Sequence, residues 1–234
     1  SFTYPNSGIQ ALDNVSFTLE AGHSLGILGK TGSGKSTITA LMVRQYDPTE
    51  GEILIDGVNV KDWHLPTLKK YLGWVPQEAF LFSDTIARNI AFGLDEFNQN
   101  QVEQAAMAAG VHDNIIEFPK QYETTVGERG VTLSGGQKQR VSIARALAKS
   151  PKLMVFDDCL SAVDTETEEL ILGNIKEATA SISSMIVAHR ISSVKHCEQI
   201  ICLENGQIIE KGTHEELEIA GGHYSELISL QLDQ

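Results

Sequence analysis

The chain has 234 residues, 41% of them hydrophobic, enough for one large α/β domain or one domain carrying a helical insertion. Its formal net charge of −13 argues against a nucleic-acid coat, which needs a basic face, and fits a well-solvated surface. Three cysteines without C-x-x-C spacing (Cys159, Cys197, Cys202) suit a reducing cytosol, no apolar run reaches membrane-span length, and no signal peptide is visible. The sequence opens on Ser1 without Met, so it reads as a domain excised from a longer protein, with a strand or membrane region upstream.

In chain order, the alternation at residues 15–19 predicts a half-buried strand. An apolar run at 24–28 predicts a second strand, leading into Gly29-Lys30-Thr31-Gly32-Ser33-Gly34-Lys35-Ser36. That stretch fits G-x-x-x-x-G-K-[ST], a loop whose backbone wraps phosphate oxygens. Lys35 is expected to reach the β- and γ-phosphates, the Ser36 hydroxyl to hold Mg²⁺, and Thr37 to continue the site into a helix over 36–45. Such a loop alone also occurs as an ordinary Gly-rich turn; a strand before it and a helix after it favour phosphate binding. Residues 52–57 predict a strand closed by an Asp-Gly turn.

From about residue 84 to 150 the pattern turns helical, with clear helices over 102–109 and 137–148, the second stopped by Pro151. Just before it, Leu133-Ser134-Gly135-Gly136-Gln137 is a second Gly-rich turn able to present backbone N–H groups to an anion. Strands are expected at 153–156, 184–188, 199–203 and 207–210, the last two joined across an Asn-Gly turn, with short helices at 215–219 and 224–230. Strand 153–156 ends in Asp157, which a parallel sheet delivers to its ligand-binding edge as a Mg²⁺ partner. Alternating strands and helices imply a mostly parallel sheet, a β-rich N-terminal part and a helical insertion.

Phosphate loop, Leu133–Gln137, Asp157, then Ser161-Ala162-Val163-Asp164 and His189 resemble, in order and spacing, the ATP-binding cassette (ABC) family along essentially the whole chain. Residues 75–86 (Val-Pro-Gln-Glu-Ala-Phe-Leu-Phe-Ser-Asp-Thr-Ile) and 125–130 (Thr-Val-Gly-Glu-Arg-Gly) are similar to segments of its exporter branch, the latter to one that meets membrane-domain loops. The resemblance implies an α/β P-loop NTPase core with an N-terminal antiparallel β subdomain. Core and β subdomain would span residues 1–83 and 151–234, and a helical signature subdomain 84–150. It implies an ATPase with ATP and Mg²⁺ as ligands. Tyr4 would stack on adenine, worth ~1–3 kcal/mol, with Pro5 holding it extended. Gln77 would touch Mg²⁺ or the attacking water, and His189 the γ-phosphate.

Ser134, Gly135, Gly136 and Gln137 would contact ATP held by a second nucleotide-binding domain in a head-to-tail dimer, with Asp164 linking the two sites. The expected partners are that second domain and a transmembrane domain of the same polypeptide. No nucleic acid is expected, and the domain would sit on the cytoplasmic face of the membrane. A soluble cassette ATPase acting on DNA or ribosomes is disfavoured by the acidity, and a GTPase by the absence of Asn-Lys-x-Asp.

One residue departs from the pattern. Most members carry Glu directly after the Mg²⁺-binding Asp; this chain has Asp158. Its side chain is one methylene shorter, and a misplacement of ~1 Å costs ~100-fold in rate. The departure resembles the degenerate half of heterodimeric exporters, whose partner keeps the Glu; the alternative is a homodimer in which Asp158 acts slowly. Cys159, beside it, raises the further idea of a redox switch.

Overall fold

The computed structural model describes residues 1–127, 130–159, 168, 171–174, 176 and 182–232. Among them the strands are β1 (Phe2–Thr3), β2 (Gln10–Leu12), β3 (Ser24–Gly29), β4 (Leu54–Ile55), β5 (Val58–Asn59), β6 (Leu72–Val75), β7 (Leu153–Asp157), β8 (Ser183–Ala188), β9 (Gln199–Glu204) and β10 (Gln207–Gly212). The α-helices are α1 (Lys35–Met42), α2 (Leu65–Tyr71), α3 (Ile86–Ala91), α4 (Gln99–Ala108), α5 (His112–Ile116), α6 (Gly135–Ala148), α7 (His214–Ala220) and α8 (His223–Leu232). None of the described helices is long and apolar enough to cross a membrane.

Six strands form one sheet in the order β10-β9-β3-β8-β7-β6, parallel except for β10. Both faces of it are buried, as the near-continuous apolar runs require. Alternate residues serve two cores. Leu25, Ile27, Val155, Met185, Val187, Ile201 and Leu203 face α1 and the N-terminal segments. Leu28, Met154, Phe156, Ile186, Ala188, Ile200 and Cys202 join the side chains of α3, α4 and α6. Antiparallel β1 and β2 stand apart from this sheet as a separate pair.

The strands expected at 24–28, 153–156, 184–188 and 199–203 are present within a residue of their predicted ends. Asn205 (φ 48°) and Gly206 (φ 77°) both take positive φ, the geometry that suits a two-residue hairpin turn between β9 and β10.

Three expectations change. Residues 15–19 keep their alternation, with Val15, Phe17 and Leu19 half-buried, but join no ladder. Burial of one side satisfies the pattern without a neighbouring strand to pair with. The strand expected over 52–57 shrinks to β4, which meets β5 around Asp56 (φ 50°) and Gly57 (φ 77°). Helix α1 stops at Met42, short of residue 45, because Arg44 (φ 55°) turns left-handed, with Arg44 N–H bonded to Leu41 O and Gln45 N–H to Ala40 O. That is a Schellman stop made without glycine, and so without its usual sequence signal.

On β3, Gly26 lies where the 191–197 turn packs on the sheet. A Cβ there would sit 2.7 Å from Val194 Cβ, and β3 is held on both sides by β8 and β9. Gly26→Ala is expected to cost about 1–3 kcal/mol by overpacking, read as a lowered midpoint in urea unfolding followed by circular dichroism; an unchanged midpoint would contradict this packing.

Candidate nucleotide site

The carboxyl ends of four adjacent parallel strands converge on one cavity. In sheet order, β3 runs into the phosphate loop, β8 into His189, β7 into Asp157 and Asp158, and β6, through Pro76, into Gln77. Register keeps these ends level, with Leu28 opposite Ala188, Asp157 opposite Val187 and Val75 opposite Phe156. The cavity measures about 500 Å³ and is lined by Tyr4, Thr31, Gly32, Gly34, Lys35, Ser36, Thr37, Gln77, Asp158 and His189, together with Ala11, Asn205 and Gly206. That volume suits a small-molecule site. A larger hollow of about 870 Å³ opens between residues 14–21 and 50–57, away from these groups.

Gly34 precedes α1 with φ 105° and offers no side-chain cap, so the N–H groups of Lys35 and Ser36 are left for a ligand at the positive end of the helix, while Thr37 N–H bonds Gly34 O (3.1 Å). Its Cβ would lie 2.6 Å from Ala11 O, so the loop needs glycine there twice over. The Lys35 ammonium folds back on the loop, donating to Gly29 O (2.6 Å) and Lys30 O (2.9 Å). Burial lowers its pKa, opposed by the charges of Asp158 and Asp157. Ser33 Oγ is buried without a hydrogen-bond partner, an orphaned polar atom inside the loop.

Asp157 is 6% exposed and has both oxygens bonded: Ser36 Oγ donates to Oδ1 (3.0 Å) and Thr39 Oγ1 to Oδ2 (2.7 Å). Thr39 has no motif signal; its spacing from Ser36, one helical turn on, is the clue the sequence held. The oxygen set of Ser36, Asp157 and Gln77 has the hard-donor chemistry that Mg²⁺ takes alongside phosphates and water. Among the described residues no cluster of three His, Cys, Asp or Glu side chains offers an all-protein metal cage.

Asp158 is the most entangled residue of the cavity. Its backbone is left-handed (φ 47°), and its N–H donates to Val187 O (2.8 Å). Gln77 Nε2 donates to Asp158 Oδ2 (3.2 Å), and His189 Nε2 lies 3.6 Å from the same oxygen. Burial pushes its carboxyl above the ordinary carboxylate range, opposed by the charges of His189 and Lys35. Tyr4 reaches the cavity from the β1–β2 pair, its hydroxyl 3.0 Å from Thr37 Oγ1 and its ring edge-on to Phe2 and Tyr46.

Ser134, Gly135, Gly136 and Gln137 do not line this cavity. They open α6 with a reciprocal cap: Ser134 Oγ accepts from Gln137 N–H (3.2 Å) and Gln137 Oε1 from Ser134 N–H (3.0 Å). Ser134 and Gly135 are exposed, and a Cβ on Gly135 would meet nothing within 4 Å. Nothing inside the described chain requires glycine at that position. Residues 161–164, with Asp164, lie outside the described residues, as do Glu128 and Arg129. The neighbouring residues 124–127 lie along 83–86, with Val126 N–H bonded to Asp84 O (3.0 Å) and Ile86 N–H to Thr124 O (3.0 Å). Cys159 is fully buried and burial pushes its thiol up, so thiolate chemistry beside Asp158 is suppressed.

A family model described as ABC transporter matches residues 12–161. The chain belongs to the ABC transporter family. It is 45% identical over 238 residues to ABC transporter B family member 6 of Dictyostelium discoideum, covering 99% of this chain and 35% of that protein. It is 43% identical over 232 residues to an ATP-dependent lipid A-core flippase of Aromatoleum aromaticum, covering 99% and 39%. A solved bacterial Atm1-family ABC exporter with ATP bound superposes with a TM-score of 0.94 at 41% identity, covering 98% of this chain and 41% of that one. The chain thus spans well under half the length of these relatives, the portion that matches an ABC ATP-binding domain.

Thr39→Val tests the anchor beneath the phosphate loop. It leaves Asp157 Oδ2 without its buried hydroxyl donor, and a loss of about 1–3 kcal/mol in unfolding free energy is expected without nucleotide. Urea titration reads it, and equal stability would show that this contact does not hold α1 to β7.

Proposed function

We propose that this domain is the ATP-driven motor of an ABC exporter and that its own ATP site turns over slowly. The observation that carries the reading is the convergence of phosphate-loop residues, Asp158, Gln77, His189 and Tyr4 on one nucleotide-sized cavity, with Asp157 hydrogen-bonded to Ser36 of that lining and a glycine-rich helix start held apart from it.

Tyr4 stacks on the adenine. The loop 29–36, its helix start and Lys35 bind the β- and γ-phosphates. Thr37 steadies Tyr4 through its hydroxyl. Ser36, Asp157 and Gln77 would hold Mg²⁺, which when bound would supply positive charge against the phosphate oxygens. His189 binds the γ-phosphate. Asp158 is the group positioned to take the proton of the attacking water, and it does so poorly. It is shorter than Glu, and Oδ2 is occupied by Gln77 and close to His189.

Ser134, Gly135 and Gly136 engage the γ-phosphate of ATP on a second nucleotide-binding domain. Nucleotide then bridges two chains and stabilises their closed dimer by mass action. The exposed glycine that no intrachain contact requires supports this. The helical stretch 84–150 carries that contact, and 1–83 with 151–234 the ATP site. A heterodimer whose partner retains Glu makes the slow site useful, because this chain's intact 133–137 turn completes the partner's active site. The transmembrane part of the same polypeptide docks beside Gln77, where Phe80, Phe82 and Phe92 are exposed next to residues 124–127, Phe82 meeting Phe80 edge-on and stacking on Phe92. This puts the domain on the cytoplasmic face.

Three variants of the full-length protein test the reading. Asp158→Glu is expected to raise vanadate-trapped nucleotide on this chain by about tenfold or more. If Asp158→Ala instead abolishes a brisk hydrolysis by this chain alone, Asp158 is a working base and the slow-site reading fails. Gly135→Asp places a carboxylate against the partner's γ-phosphate. It should leave nucleotide binding to this chain intact and cut total ATP turnover by about a hundredfold, since one lost preorganised contact costs ~10²–10³; unchanged turnover would rule out the head-to-tail arrangement.

A further inference from the structure

His189 meets the cavity from the end of β8, and three consecutive residues there are gripped from behind. The side-chain amide of Gln231, on the last turns of α8, brackets the backbone. Its Nε2 donates to His189 O (2.8 Å), and its Oε1 accepts from Ile191 N–H (2.9 Å). Between those two bonds, Arg190 Nη1 donates to Glu168 Oε2 (3.0 Å), and Ser193 Oγ bonds the other oxygen of the same fully buried carboxylate. The backbone of 189–191 and the side chain of Arg190 are thus taken up, and the imidazole is left facing the cavity.

Helix α8 is built to hold that grip. Both N–H groups at its start donate to the Glu210 carboxylate: His223 N–H to Oε1 (2.7 Å) and Tyr224 N–H to Oε2 (2.8 Å). The Tyr224 ring is fully buried, and its hydroxyl is 2.8 Å from His214 Nδ1. Leu227 and Ile228 pack on the main core. Gln231 therefore extends from a helix whose far end is fixed to β10, and it is a polar side chain placed with two hydrogen bonds on one loop.

We propose that Gln231 is a positioning residue for His189: α8 acts as a strut that sets where the imidazole meets the terminal phosphate. The proposal rests on the reading of His189 as a γ-phosphate ligand. It concerns only the ligand's third phosphate, because none of Gln231's bonds touches the phosphate loop. Removing the bracket should therefore weaken triphosphate binding and spare diphosphate binding. A merely structural role would weaken both.

The test uses the full-length protein and photolabelling of this chain with 8-azido-ATP, competed by ADP or by a non-hydrolysable ATP analogue. His189→Ala is the reference and should lower the preference for the triphosphate analogue about tenfold, as for a lost hydrogen bond to a charged group. Gln231→Met keeps length and helix propensity but loses both bonds; roughly a fivefold loss of the same preference is expected, with ADP competition unchanged. Gln231→Glu keeps the acceptor for Ile191 N–H and sets a carboxylate against His189 O, so it should lose at least as much. Leu230→Ser, on the same helix and 60% exposed, should change nothing. If His189→Ala loses the preference and both Gln231 variants keep it, the strut is wrong. If His189→Ala keeps it, the γ-phosphate reading itself falls. If the Gln231 variants weaken ADP equally, Gln231 is structural only and the proposal is overturned.

Discussion

A buried carboxylate must have its charge matched, and the architecture of this domain follows from how Asp157 meets that requirement. Both of its oxygens take hydroxyl donors from α1, one turn apart on the helix. Those bonds fix the helix that follows the phosphate loop against the central sheet, at the one end of β7 where a ligand can approach. The Ser36 hydroxyl consequently has two uses. It satisfies Asp157, and it stands among the oxygens suited to a hard cation. The bonds that hold α1 to β7 therefore also fix where the Ser36 and Asp157 oxygens stand.

Asp158 illustrates a different balance. Its carboxylate is nearly buried, and burial favours the neutral acid, while Lys35 and His189 favour the anion. A glutamate carries its oxygens one bond further from the backbone, beyond the point where Oδ2 of Asp158 meets Gln77. Gln77 and Asp158 share a hydrogen bond, which uses one oxygen of the carboxylate and one N–H of the amide. The left-handed backbone at Asp158 keeps the carboxylate in that corner.

Much of this was legible in the sequence, for identifiable reasons. Strands β3, β7, β8 and β9 announce themselves as apolar runs because both sheet faces are covered, and the phosphate loop announces itself because backbone wrapping requires glycine at fixed spacing. Strand β6 was missed. Leu72–Val75 is only four residues long, contains Gly73, and ends at Pro76, so its apolar signal is too short to separate from a loop. Yet it is the strand that delivers Gln77. Glu168 and Gln231 left no trace, and Thr39 only its helical spacing from Ser36, because their roles depend on tertiary neighbours 22, 42 and 118 residues away in the chain. Residues 15–19 show the converse: a correct alternation with no ladder, since periodicity reports which side is buried and carries no information about a pairing partner.

The four loops at the sheet edge share a common construction. Each is held from behind by an element other than the strand that delivers it. The phosphate loop is fixed by Lys35 and by Gly206 N–H on Ser33 O, and Asp157 by α1. Gln77 is fixed through its carbonyl by Gln139 of α6, while Arg145 of the same helix donates to Phe80 O and to Asn89, whose amide grips Phe82 at both N–H and carbonyl. His189 is fixed by α8 and Glu168. Side chains from four separate segments can meet one ligand reproducibly only if their backbones are not free to follow it, and a parallel sheet alone fixes just the last residue of each strand. The arrangement also gives each loop its own line to a distant part of the fold: Gln77 to the helix that begins at Ser134, His189 to the helix that ends beyond Gln231. None of the hydrogen bonds that tie Gln77 and His189 to those two helices involves the phosphate loop, so each line to the cavity is separate from it.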